Sequence, residues 1–403
     1  MTFDLLIKGG HVLDPAQGLD GPFDIAIAGG RIEALESDIS PDRSRRTIEV
    51  RGASRRILPG LIDVHTHVAY GATTRGVGLD CCEPDQVGVL SGVTTVVDTG
   101  SVGVTNIGVF DAHLRPRSRT RVICLVNVGS FALTTPRPAD VMSLDEVDRD
   151  GIARSIAASP GLISGVKLRV TGPFVLERGE ELIELSKSIA REHHLPFMVH
   201  IGNRLADRRR GEALTRFVLE RLEPGDIITH LCTPHPGGIL DDDGKALPEF
   251  VAARRTGVIM DSALGRHNFS HLVARRQADL GIHPDTISTD ITPGGYGEIV
   301  YSLLECMAKF MALGYSLADV VRMTTSNAAK AIGLSNELGA IAVGREADLS
   351  VIDVVSGRWR FIDTLAQPFS GEQALVPVHT VRAGELIAPN WGPHPSGWLP
   401  DSE

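Results

Sequence analysis

The sequence predicts an α/β chain: a TIM-type (β/α)8 barrel over 57–344, with a small β-sandwich domain built from both chain ends, 1–56 and 345–403. Two observations predict it. Eight short apolar runs recur with helix-like stretches between them, at a spacing suited to βα units. Both ends of the chain instead carry glycine-punctuated strands that do not follow this repeat. At 403 residues, with 42% hydrophobic residues, 43 Gly and 23 Pro, the chain is long enough for one barrel and one small domain.

Taken in order, the N-terminal segments Leu5–Gly10, Ile25–Ile32 and Thr47–Val50 read as hairpin strands with Gly turns. The barrel strands then end near His65, Asp98, Asn127, Lys167, His200, His230, Asp261 and Asp290. Helix-like stretches separate them at Leu144–Ala158, Glu180–Glu192, Glu212–Leu222 and Phe269–Leu280. A longer helix, from about Ile299 to Leu313, follows the last strand. Ser316 and Asp319 make a candidate capping box for the next, and Gly333 a helix stop. Leu349–Asp353 and Val378–Gly384 return to strand, and two distant β segments flanking a barrel most simply pair into one small sheet domain.

The strand ends carry the chemistry. His65 and His67 close the run Leu61-Ile62-Asp63-Val64. Residues two apart on a strand project to one face roughly 6.5 Å apart, so this pair can present two neutral imidazoles to one metal ion. Alone, such a pair is more often two solvated side chains than a metal site. Later runs change that, because Lys167, His200, His230 and Asp290 also stand at strand C-termini, the end of a (β/α)8 barrel where active sites lie.

Charge and cysteine content exclude other classes. A net charge of −10 and a pI near 5.8 argue against nucleic-acid and anionic-membrane partners. Five cysteines, two of them adjacent at Cys81 and Cys82, form no secretory disulfide framework and read as reduced thiols of a cytoplasmic protein. No signal peptide and no apolar membrane span is expected. Self-association into a homo-oligomer is left open.

The stretch Leu58-Pro59-Gly60-Leu61-Ile62-Asp63-Val64-His65-Thr66-His67 resembles the strand-1 signature of the amidohydrolase superfamily, metal-dependent hydrolases on a (β/α)8 barrel. Gly339–Leu349 resembles the segment by which many members return to the small β domain, and the segments around His200, His230 and Asp290 are similar to the deacetylase, or dihydroorotase-like, branch. The resemblance spans essentially the whole chain. It implies two divalent metals, with His65, His67 and Asp290 on the more buried ion and His200 and His230 on the more exposed one. It further implies a carboxylated Lys167 bridging both.

Elementary chemistry supports that lysine. An ammonium beside two divalent cations is disfavoured, so the free amine dominates and can add carbon dioxide to give a bridging carbamate. Two metals about 3.5 to 4 Å apart would share a hydroxide nucleophile and polarise a carbonyl. Asp290 would take its proton and pass it to the leaving group. Zinc fits the His/carboxylate set best, with manganese, iron and cobalt as alternatives.

Arg169 shares the strand face of Lys167 and is the first candidate to clamp a substrate carboxylate; the competing reading is a salt bridge at the barrel rim. Asn203, His235, His267 and Tyr296 lie in loops after strands 5 to 8, on the same side. Asp98, Asn127 and Asp261 read as hydrogen-bonding supports. The expected activity is removal of an acyl group from a small carboxylate-bearing amide or ester, such as an N-acyl amino acid or an acylated hydroxy acid. A cyclic-amide hydrolase of the dihydroorotase or hydantoinase kind is the alternative, and a silent scaffold is disfavoured because none of the six ligand positions is lost. A mononuclear deaminase is also disfavoured, since it usually wants a glutamate where Asn203 stands.

Overall fold

The computed structural model describes residues 2–72, 81–134 and 139–390. The stretch 391–403 of the expected end domain lies outside the described residues.

The first five strands are β1 (Leu5–Asp14), β2 (Leu19–Ala28), β3 (Arg31–Glu36), β4 (Thr47–Glu49) and β5 (Arg55–Pro59). Gly29 and Gly30 at φ 56° and 76° turn β2 into β3, in the backbone region that favours glycine. Seven parallel strands follow: β6 (Leu61–Thr66), β7 (Val93–Thr99), β8 (Arg121–Asn127), β9 (Ile163–Arg169), β10 (Phe197–His200), β11 (Ile227–Thr229) and β12 (Ile259–Asp261). The chain closes with β13 (Leu349–Ile362), β14 (Pro368–Arg382) and β15 (Glu385–Ile387).

β6 to β12 form one curled sheet in sequence order. The expected eighth strand is too irregular to be a strand, but its segment 286–291 still bridges both edges, pairing Thr286 with Asp261 and Ile291 with Thr66. Its backbone bonds run to each side, from Ser262 N to Thr286 O and from Asp290 N to His65 O. The irregularity has a local cause: Asp290 sits at φ 50°, outside extended backbone. Helices Arg149–Ala158, Pro173–Glu192, Arg208–Leu219, Pro248–Thr256 and His271–Asp279 alternate with the strands. The capping box of Ser316 and Asp319 forms on helix Leu317–Thr324. An apolar cluster drawn from Ile62, Val97, Leu125, Met198, Ile227 and Ile259 meets Ala328 and Ala329 of the helix Ser326–Ala331.

The chain ends do pair, through β5 and β13, into one eight-stranded hydrogen-bonded sheet among the described residues. Its strands β13 and β14 run well past the predicted segments. Trp359, Phe361, Phe369 and Leu375 of this hairpin share a core with Leu303, Met307 and Phe310 of the helix Leu303–Ala312. The hairpin therefore buries its apolar face on the barrel's helical layer.

Candidate active site

Register brings the site together. Lys167 lies opposite Asn127 on one side and Met198 on the other, while Arg169 lies opposite His200, His200 opposite Thr229, and Thr229 opposite Asp261. Five neighbouring strands thus present these residues on two successive same-face rungs at the C-terminal end of the sheet.

His65, His67 and Asp290 converge, with donor atoms within 4.8 Å of one another. His67 Nε2 is 3.1 Å and His65 Nε2 3.4 Å from Asp290 Oδ1. Lys167 Nζ lies 3.5 Å from His65 Nε2 and 3.3 Å from Met198 Sδ. The His230 ring centroid is 5.1 Å from that of His65 and 4.1 Å from that of His200. All six predicted ligand positions therefore stand in one cluster.

Supporting hydrogen bonds aim the rings. His65 Nδ1 is 2.9 Å from Thr229 Oγ1, which in turn donates to Asp261 at 2.7 Å. His67 Nδ1 is 2.8 Å from Ser101 Oγ, which donates to Asp98 at 2.7 Å. His230 Nδ1 faces the Ala263 carbonyl at 2.8 Å, and its buried Nε2 has no partner. With Nδ1 occupied, each of these three rings offers Nε2, which is how a metal-ligating imidazole is oriented. His200 is arranged oppositely: its Nε2 lies 3.3 Å from the Gly202 carbonyl, leaving Nδ1.

Burial sets the charges. It lowers Lys167 to about 7, so a large fraction is free amine near neutrality, and lowers His230 to about 4. Burial likewise holds His65 and His200 well below the ordinary imidazole value. For Asp290 burial acts upward, but the neighbouring histidines outweigh it and hold the carboxyl below the usual carboxylate range. Unprotonated imidazoles, a neutral amine and an anionic carboxylate are the forms that bind divalent cations.

Two backbone features hold this geometry. His230 at φ 71° and Asp290 at φ 50° occupy the left-handed region, a strained arrangement for non-glycine residues that clusters at functional sites. Gly265 makes room for the carboxylate, since a Cβ there would sit 2.1 Å from Asp290 Oδ2.

The cluster opens into a cleft of about 680 Å³ lined by Arg169, Asn203, Arg204, Arg266, His267 and Asn268 among others. Of the predicted substrate residues, Asn203 and His267 line it. Arg169 lines it too, but its guanidinium is joined to Asp140 by two bonds, from Nε at 2.7 Å and from Nη2. His235 lines a separate cavity with Arg208 and Asp241. Tyr296 stacks on Tyr301 at 5.5 Å and is not among the described residues lining the cleft. Sequence reasoning missed Arg204, Arg266, Asn268, Ser101, Thr229 and Asp140. Thr229 had a readable signal, since it immediately precedes His230.

The profile of the amidohydrolase family matches residues 56–387. The chain belongs to the amidohydrolase family. Within it, the deacetylase of Agrobacterium fabrum is 31% identical over 369 residues, 91% of this chain and 86% of that protein. Among solved structures, an adenine deaminase matches with a TM-score of 0.85 at 27% identity, covering 96% of this chain and 100% of that one. A dihydroorotase matches with a TM-score of 0.83 at 27% identity, covering 99% of both. This amidohydrolase is accordingly a metal-dependent hydrolase, with His65, His67 and Asp290 as a group able to hold a metal. No helix among the described residues is long and apolar enough to cross a membrane, and all five cysteines are free.

Proposed function

We propose that this amidohydrolase is a binuclear deacylase that removes an acetyl or similar acyl group from a small carboxylate-bearing amide or ester, an N-acyl amino acid or an acylated hydroxy acid. The observation that carries the reading is the single cluster of His65, His67, Lys167, His200, His230 and Asp290 beneath a cleft with several arginines. The donor set fits two divalent ions, zinc best: ring nitrogens aimed inward, one carboxylate between two of them, and an amine that burial lowers to about 7. When bound, the ions supply an activated water and polarise the acyl carbonyl. His65, His67 and Asp290 hold the inner ion, and His200 and His230 the outer. Lys167, between the two sets, would serve both as a carbamate, which its free amine can form with carbon dioxide on loss of a proton. Asp290 takes the proton of the attacking water and gives it to the leaving nitrogen or oxygen. Asn203 and His267 border the bound substrate. The free thiols suit a reducing, cytoplasmic setting.

Turnover by the zinc-loaded protein tests this. The arms are paired enantiomers of N-acetyl amino acids and O-acetyl hydroxy acids, against cyclic ureides and adenine. Release of acetate from one of the first two classes is the expected result. Ring opening of the ureides alone would transfer the protein to the cyclic-amide hydrolases, and ammonia from adenine alone would make it a deaminase.

A further inference from the structure

The arginine that shares a strand face with Lys167 is already engaged. Arg169 donates to both oxygens of Asp140, and Asn127 Nδ2 holds the same carboxylate at 2.7 Å. Asp140 is 5% exposed. Turning Arg169 toward a ligand would strand a buried carboxylate, which is strongly unfavourable.

Two other guanidiniums in the cleft are free to act. Arg204, in the loop after β10, is exposed and has no ion-pair partner among the described residues. Arg266, in the loop after β12, makes one loose contact, 3.5 Å to Glu298, between side chains 48% and 63% exposed. Such a screened pair is readily exchanged for a ligand. Both loops converge: His267, which lines the same cleft, is depressed by burial and then by the charges of Arg204 and Arg266 together. Gly294 keeps the space beside Arg266 open, since a Cβ there would stand 3.2 Å from its Nη1. Leu205, next to Arg204, lines the cleft while 63% exposed, and Leu133 is a further apolar residue of the lining.

We propose that Arg204 and Arg266 together hold the substrate carboxylate, that Leu205 meets an apolar side chain beside it, and that Arg169 stays with Asp140 as a positioning residue of the cleft wall. The substrate class is then an acylated α-amino or α-hydroxy acid with an apolar side chain. This assignment rests on the deacylase reading and sharpens it.

The test compares N-acetyl-leucine, both enantiomers, with its primary amide, in wild type, Arg204→Gln, Arg266→Gln and Arg169→Gln. The first two variants should raise KM for the acid by about tenfold or more, leave kcat within about threefold, and barely move KM for the amide. Arg169→Gln should lower kcat on acid and amide alike. Equal losses on acid and amide in the Arg204 and Arg266 variants, or a KM for the acid within about twofold of wild type, would overturn the assignment. A binding arm separates it from the reading of the reaction. The metal-loaded protein is titrated calorimetrically with 4-methylpentanoate and with 4-methylpentanamide, neither of which carries an acetyl group, with the amide checked for ammonia release during the titration. Tighter binding of the acid, lost in Arg204→Gln/Arg266→Gln but kept in Arg169→Gln, upholds the clamp even if no acetyl substrate is turned over. Absent binding, or binding indifferent to the double variant, refutes the clamp even if acetate is released.

Discussion

His65, His67 and His230 on the cleft floor are buried, and each has Nδ1 tied to a partner held by the barrel. Arg204 and Leu205 at the mouth are exposed, stand on a loop, and touch little. The floor is preorganised by strand register and by hydroxyl-to-carboxylate pairs behind the rings, so it can fix metal geometry before any ligand arrives. The mouth is loop-borne, and in barrels of this kind loop variation is where specificity changes without disturbing the scaffold. One family can therefore keep a common floor and take different substrates.

Predictions follow that contrast. The largest effect belongs to Asp290→Asn, which keeps an oxygen at the metal but removes the proton acceptor. Turnover should fall by about 10³-fold or more while metal content changes little, as read by kinetics beside elemental analysis. Retention of wild-type turnover would move the proton to another group.

Next come the groups behind the rings. Thr229→Val removes the hydroxyl between His65 and Asp261, and metal affinity should drop about 10 to 100-fold in chelator competition, with the fold intact by circular dichroism. Unchanged affinity would mean the ring is aimed by packing alone. Asp261→Ala leaves the hydroxyls of Thr229, Thr286 and Ser288 without their acceptor and should cost stability, about 3 kcal/mol in denaturant melts of the metal-free protein. The smallest effect belongs to the mouth. Leu205→Ser should leave stability within about 0.5 kcal/mol, because the side chain buries little. A large loss there would show that the loop is part of the folded core.

The floor was legible in the sequence because its residues end apolar runs, and a strand that ends in His or Asp at the C-terminal side of a βα unit has few other places to point. Lys167 was legible for the same reason, being an amine between Val166 and Leu168. The Arg169–Asp140 pair was not, since Asp140 comes from a loop after β8 and nothing local in the chain says where that loop folds. The surroundings of Tyr296 and His235 were hidden in the same way: both follow the expected strands, but Tyr296 stacks on Tyr301 and His235 lines a neighbouring cavity. The length of the hairpin was not legible because its alternating stretches, 358–361 and 368–371, are short and are set among polar, Gly- and Pro-containing residues that read as turns.

The central claim is that Lys167 joins two metal sites, and metal stoichiometry tests it most directly. Zinc-loaded wild-type protein and Lys167→Ala, freed of excess ion, are compared by elemental analysis. The account predicts about two ions per chain in wild type, fewer in the variant, and activity lower by orders of magnitude, partly restored by short carboxylates. A variant that keeps two ions per chain and wild-type turnover would contradict it.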